Sequence, residues 1–547
     1  MSEPQLPAAL DGACVFMVGI KGTGMAALCE LLVRRGARVC GSDSSEVFYT
    51  DAILSRLGVT VFEDFAADRL PDDVDLVVHS AAYDPETHPQ LCAARERGLP
   101  VLVYTQALGA LSRGRPAVAV AGVHGKTTTT ALVGALVRTL GLPGEVLVGS
   151  AVSVFDGFST YFGGTDFFVA ETCEYRRNFL AFQPDILVVT SIEADHLDYF
   201  KNEDDVHSAF LEFARKLPEG GTLIYCADDP GATRLAGAVH TERRDLRRVA
   251  YGRSAAGPYA VTGLTAAAGR TAFRLAGVGT ELALRVPGAH NVLNAAAAVA
   301  ATAAVAETLD AAVGGGADAP HGDEAHAESR AADGHRPSAS IQGSSQAIAE
   351  ALWSFTGTRR RSELVGERGG VIYMDDYAHH PTAIAATLAG IRKFYPGRRV
   401  VVSFMSHTYS RTAGMLEEFA RAFGDADVVV THKIYASARE HFDGRIEGRD
   451  LADAIGRHHS DVRYVPEVMD AFDGLRRELR PGDVFISMGA GNNWILSHRL
   501  FEAAAGQGAA ATGQGATAPG QRGHAPGQRA RAPGQGLPGG GEGRSTP

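Results

Sequence analysis

At 547 residues the chain exceeds one ordinary domain, and roughly 100–200 residues per domain predicts three or four. An apolar fraction of 45% supplies enough side chains for several cores. The net charge of −11 and the lack of a long basic run exclude the electrostatic footprint of a nucleic-acid binder.

The front of the chain alternates strand and helix signals. ACVFMVGI reads as a strand, GMAALCELLVRRG as a helix, RVCGSD as a strand and DAILSRLG as a helix; DLVVHSAA, PQLCAARERG and VLVYT continue the series. Such alternation predicts a parallel sheet covered by helices, an α/β fold. SRGRP at 112–116 is read as a hinge. A second α/β series begins with AVAVAG and continues through FFVAE, DILVVTSI and TLIYCADD. After shorter β-like runs, VPGAHNVLNAAAAVAATAAVAETL predicts an Ala-rich helix. Residues 311–344 are polar and without periodicity. They predict a disordered insertion in which His321, His326 and His335 are solvated rather than metal ligands. A third unit carries the strands GVIYMDDYA, RRVVVSFMSH, DADVVVTHKIY and GDVFISMGAG, and the tail repeats APGQ, which predicts disorder. The expected division is 1–113, 114–355, 356–502 and a tail at 503–547. The outer two folded domains are Rossmann-like and the central one is of the P-loop ATPase type.

The six cysteines are scattered, without a CxxC pair, and predict buried free thiols of a reducing compartment. The N-terminus lacks a basic start and a cleavage-like site, and no uninterrupted apolar run nears the roughly 20 residues of a membrane span. A cytoplasmic protein without membrane insertion is expected.

Two glycine loops carry the chemistry. AVAVAGVHGKTTTT places Gly122-Val123-His124-Gly125-Lys126-Thr127 between a strand and a helix. Glycines let backbone N–H groups approach an anion, and the helix N-terminus adds partial positive charge. Lys126 suits β- and γ-phosphates and Thr127 suits Mg²⁺. Only two residues separate the glycines, so this is a shortened phosphate loop. Glu171 closes one strand, and Asp195, His196 and Asp198 follow another, where a hard cation near the phosphates needs ligands. The front loop, Gly19-x-x-Gly22-x-Gly24, with Asp43 ending the second strand, is read as a diphosphate or nucleotide site, with tight helix–strand packing as the alternative.

Taken together, VGIKGTGM, GSD, AGVHGKTTTT, SIEADHLDYF, PGAHNVLNA, FTGTRRRSELVGE, DDYAHHPT, SHTYSRT and ISMGAGN resemble the Mur ligases, ATP-dependent amide-forming enzymes of peptidoglycan synthesis. The resemblance spans residues 13–495 and implies three domains. It implies UDP-N-acetylmuramate, L-alanine and ATP as substrates, Mg²⁺ as cofactor, and a monomer or homodimer.

Carried over by position, Gly19, Gly22, Thr23, Gly24, Asp43, Ser80 and Glu174 would serve the sugar nucleotide. Gly122, Val123, His124, Gly125, Lys126, Thr127 and Thr128 would hold ATP phosphates. Thr127, Glu171 and His196 would serve Mg²⁺. Asn291 and Asn294 would lie by the adenine and Asp376 by its ribose. Arg360 would approach the phosphates from the third domain. Tyr377, His379 and Arg411 would bracket alanine and the lactyl carboxylate, with His379 as base or positioner. The chain departs from the family where ETCEYRRNFL stands for EADESDxSFL: one acid is lost, Cys173 appears, and Arg176 and Arg177 add positive charge. SFMSHTYSRT likewise replaces FQPHTYTRT. A tripeptide-joining relative, a non-catalytic nucleotide-binding regulator and a nicotinamide dehydrogenase are the alternatives.

Overall fold

The computed structural model describes residues 6–504 except 8–9, 197–198, 268, 315–343, 437–439, 441 and 443. The expected disorder of the insertion and tail, the histidines within that insertion and the Asp198 candidate lie outside the described residues.

Among the described residues the strands form four sheets. The first is all-parallel, in the order Thr60–Phe62, Arg38–Ser42, Cys14–Val18, Leu76–His79, Val101–Val103. Chain order reverses beside Cys14–Val18, a strand buried along its whole length because helices cover both faces. That reversal opens a crevice at the strands' carboxyl ends. The second sheet runs Arg247–Tyr251, Thr222–Cys226, Ile186–Val189, Ala117–Ala121, Phe167–Glu171, Gly144–Val152, Phe158–Phe162, antiparallel only in its last pair. A small antiparallel sheet over residues 261–284 follows it. The third unit orders Glu363–Arg368, Val371–Asp376, Asp483–Gly489, Arg399–Met405, Val428–Thr431, Val462–Tyr464, antiparallel only in its first pair.

The Ala-rich helix, Ala289–Gly314, extends four residues into the stretch read as disordered from 311. Over Ala289–Ala311 its mean hydropathy is 1.6, so by length and composition it would cross a membrane, contrary to the sequence reading. It is 78% buried within the protein, against the helix Lys126–Leu140 and the second sheet. Alanines let these elements approach closely, and the apolar surface is spent on the core.

One apolar cluster runs without a break through the first and second units, whereas the third has separate clusters on the two faces of its sheet. Buried ions reinforce the first junction. Glu30 accepts from the Ser159 and Thr160 amides at 2.9 and 3.2 Å. Glu145, fully buried, receives Arg35 Nε at 2.7 Å and Arg115 at 2.5 Å. In the 112–116 segment, read from the sequence as a hinge, Arg115 is tied to Glu145, and Ser112 Oγ donates to the Gly109 carbonyl and accepts from the Gln183 amide. Three of the six thiols, Cys14, Cys29 and Cys226, are buried, while Cys173 is exposed.

Removing one member of a buried ion cluster leaves its partners uncompensated. Glu145→Ala is expected to lower stability by about 3 kcal/mol. Urea unfolding of the variant should show a lower midpoint for the transition shared by the first two units.

Candidate active site

Most of the expected site residues follow the carboxyl end of a strand; Asn291 and Asn294 lie instead on the helix Ala289–Gly314, and Arg360 precedes the strand Glu363–Arg368. In the first unit Gly19 has φ +81°, and a Cβ there would lie 2.6 Å from Tyr83 and 3.0 Å from Ser80. The loop holds itself together: Asp43 accepts from the Lys21 amide at 2.7 Å and the Ser44 amide at 2.8 Å. The Gly22 amide bonds the Gly19 carbonyl, and Thr23 opens the helix Thr23–Arg34. Gly24 lies against Tyr104. Side chains at Gly19 and Gly24 would collide with Tyr83, Ser80 and Tyr104, and Asp43 shapes the turn.

In the second unit the shortened phosphate loop joins Ala117–Ala121 to the helix Lys126–Leu140. Gly122 (φ +135°) and Gly125 (φ +81°) admit no side chain, because a Cβ would lie 2.0 Å from Thr190 Oγ1 and 2.4 Å from Asn294 Oδ1. Lys126 Nζ folds back onto the Gly122 carbonyl at 2.5 Å and meets Glu174 at 2.9 Å. Burial alone would lower this ammonium's pKa, but Glu174 and the neighbouring acids outweigh it and raise it. Burial works against the Glu174 carboxylate too, yet Lys126 and His196 hold it below the usual range. His196 Nε2 stands 3.4 Å from Glu174. Glu171 lies one strand over, its backbone paired with Val120. Burial raises its pKa, and its Oε2 has no partner although the Thr127 hydroxyl bonds the carboxylate. An orphaned carboxylate oxygen beside a hydroxyl is what a hard cation would satisfy, so Thr127 and Glu171 fit such an ion, while His196 stands beside Glu174 and Asp195.

A small pocket of about 140 Å³ joins the two glycine loops: Gly24, Tyr104, Lys126, Glu171, Cys173 and Phe179 all line it. On the other side of Lys126 a larger cleft is lined by residues 123–128, Asn291, Asn294, Arg361 and Asp376. Asn294 donates to Asn291 at 3.2 Å, and Asp376 accepts from the Ser362 amide at 2.7 Å.

The Arg360 guanidinium bonds the Gly489 and Gly491 carbonyls at 2.8 and 3.2 Å and faces Asp375 at 3.4 Å. Arg361, the next residue, lines the cleft. Positive φ at Arg360 (+61°) and Ser362 (+48°) turns the run so that neighbouring arginines diverge. Arg411 holds a carboxylate of the protein itself, that of Asp195 at 2.6 Å, and faces His407 Nδ1 at 3.1 Å. Burial opposes ionisation of Asp195, but Arg411 and His196 drive its pKa far below the ordinary range. His379 lies between Tyr377 and His407, ring centroids 4.7 and 5.4 Å away. Its Nδ1 is 2.7 Å from the Tyr377 carbonyl, which can only accept, so Nδ1 carries the proton and Nε2 keeps a lone pair. Burial, with Arg411 and His407, pushes this imidazole well below its usual pKa. Sequence reasoning missed Arg361, Thr190 and Glu193. The carboxyl-end rule applied to DILVVTSIE would have found the last two.

Two expectations follow. Arg361→Ala should lower kcat/KM for ATP about tenfold or more with melting unchanged, whereas Arg360→Ala should chiefly lower melting; steady-state kinetics and calorimetry separate them. Burial, against the pull of Arg360, lifts Asp375 from 3.8 to about 7. The folded chain then binds this proton more tightly than the unfolded one, so stability falls as pH rises between those values, by at most about 1.4 kcal/mol per unit. Asp375→Asn should flatten that slope in denaturant midpoints from pH 5 to 8.

The geometry agrees with the comparisons. Residues 15–116 match "Mur ligase family, catalytic domain", 120–302 "Mur ligase middle domain", and 360–491 "Mur ligase, glutamate ligase domain". A UDP-N-acetylmuramate–L-alanine ligase of Treponema pallidum is 45% identical over 501 residues, 92% of this chain and 98% of the relative. The crystal structure of a UDP-N-acetylmuramate–alanine ligase of Thermotoga maritima superposes with TM-score 0.68 at 26% identity, covering 90% of this chain and 99% of that one. A murein peptide ligase of Psychrobacter arcticus, 22% identical with TM-score 0.60 over 90% and 99% of the two chains, shares the fold. With its three units matched in order and its two glycine loops facing one pocket, the chain belongs to the Mur ligase family.

Proposed function

We propose that this chain joins L-alanine to the lactyl carboxylate of UDP-N-acetylmuramate at the expense of ATP, in the cytoplasm, as a step of peptidoglycan precursor synthesis. The observation that most supports the reading is the pocket lined by Gly24, Lys126 and Glu171, where the proposed sugar-nucleotide loop would meet the proposed phosphate loop. The Treponema and Thermotoga relatives, both named for alanine, support the choice of amino acid.

A carboxylate does not condense with an amine in neutral water. In the proposed reaction the lactyl carboxylate oxygen attacks the γ-phosphorus of ATP, and ADP leaves. Attack of an anion on a triphosphate is opposed by charge, and Lys126 and Arg361 offset it from two sides of the cleft. Thr127, Glu171 and His196 would hold Mg²⁺, which when bound neutralises phosphate charge. Asn291, Asn294 and Asp376 position the nucleoside. The amine of alanine then attacks the acyl carbon, phosphate leaves, and the surplus proton passes to a base. His379 Nε2 suits that role, because an imidazole held neutral at pH 7 is free to accept. Arg411 offers its remaining donors to the alanine carboxylate.

The test is ADP release with UDP-N-acetylmuramate, ATP and each amino acid in turn. L-Alanine should support turnover, and preference for L-alanyl-γ-D-glutamyl-diaminopimelate would assign the chain to tripeptide joining instead. Lys126→Ala should lose on the order of 100-fold or more in kcat; retained activity would remove the loop from the mechanism.

A further inference from the structure

A second set of metal-type ligands shares no residue with Thr127, Glu171 and His196. His124 of the phosphate loop touches Glu193 through Nε2 and Oε1, and His380 Nδ1 lies 3.9 Å from the same oxygen. The ligand atoms of all three residues fall within 4.8 Å of one another. Four ligands around zinc at about 2.1 Å stand roughly 3.4 Å apart, so small side-chain rotations close the set. His380 is 3% exposed, and neither of its ring nitrogens has a hydrogen-bond partner. A buried imidazole without a partner is costly, and here it faces another imidazole, 5.1 Å away between centroids, across a carboxylate. The surroundings orient the ligands. Thr382 Oγ1 lies 3.5 Å from Glu193 Oε2, and the His124 amide donates to Ser191 Oγ at 3.0 Å. His124 and Glu193 line the nucleotide cleft, which leaves a fourth position open to water or a phosphate oxygen.

We propose that His124, Glu193 and His380 form a binding site for one zinc-class divalent transition metal, separate from the oxygen-rich Mg²⁺ position. Two imidazoles and a carboxylate select zinc, cobalt or nickel over magnesium, which prefers oxygen. The ligands come from the phosphate loop, the segment after Ile186–Val189 and the residue preceding the helix Pro381–Phe394. The ion therefore ties the third unit to the second.

The test uses Co²⁺ with the full chain, in the absence of nucleotide and sugar substrates, so its outcome is independent of ligase activity. One equivalent should bind with visible d–d absorption. His380→Ala and Glu193→Gln should each weaken binding at least about tenfold, while Glu171→Gln leaves it unchanged. Because His380→Ala may fail to fold, Glu193→Gln preserves side-chain shape, and Zn²⁺ should also protect His124 and His380 of the unmutated protein from diethylpyrocarbonate. Absence of a one-equivalent Co²⁺ spectrum, lack of protection, or binding that follows Glu171 rather than Glu193 would overturn the site.

Discussion

The site is organised by the burial of Lys126 among carboxylates. An ammonium withdrawn from water is stable only with anions beside it, and Glu174 at 2.9 Å supplies the nearest. Glu174 in turn is held ionised by Lys126 and His196, while Glu171, one strand away, keeps an unpartnered oxygen. Lys126 and Glu174 thus balance each other, while Glu171 lacks a cation. In the proposed reaction a triphosphate would approach Lys126 and a divalent ion would answer Glu171, so the two would arrive together.

This balance needs a rigid floor, and the junction of the first two units provides it. Their apolar clusters are continuous, and Glu30 and Glu145 cross the boundary as buried, fully engaged acids. The distance between the Gly19–Gly24 loop and the Gly122–Thr127 loop is therefore set by core packing. The third unit has its own cores and meets the others through polar points: Arg411 on Asp195, Ser150 on the Arg359 carbonyl, and Thr382 beside Glu193.

The sequence made the skeleton legible because strands buried on both faces read as unbroken apolar runs, and glycine loops at their ends read as anion sites. Cys14–Val18, Ala117–Ala121 and Val371–Asp376 all fall where AVAVA-like runs place them. What sequence could not settle depended on direction. In Arg359-Arg360-Arg361 every residue is a plausible phosphate ligand, and only the positive φ values at Arg360 and Ser362 decide which side chain enters the cleft. SRGRP has hinge composition, but Arg115 finds a buried acid 30 residues on in the chain. The Ala-rich helix was read correctly as a helix, while its apolar length was masked by alanine, whose small side chain reads as neutral until the neighbours it lets approach are known.

The Asp195–Arg411 pair bears on how the amino acid enters. Both side chains are 9% exposed, so the pair is hidden from water, and breaking it without replacement would strand two charges. In the proposed reaction the incoming alanine carries the missing carboxylate with it. A guanidinium has five N–H donors in a plane, of which the structure commits one nitrogen to Asp195 and faces another toward His407. The substrate carboxylate can therefore join Arg411 before Asp195 lets go, and the charge on Arg411 is never left unanswered. An amine lacking that carboxylate would have to compete with Asp195 without replacing it. In the proposed reaction a preference for an α-amino acid over a simple amine would then be built into the Asp195–Arg411 pair.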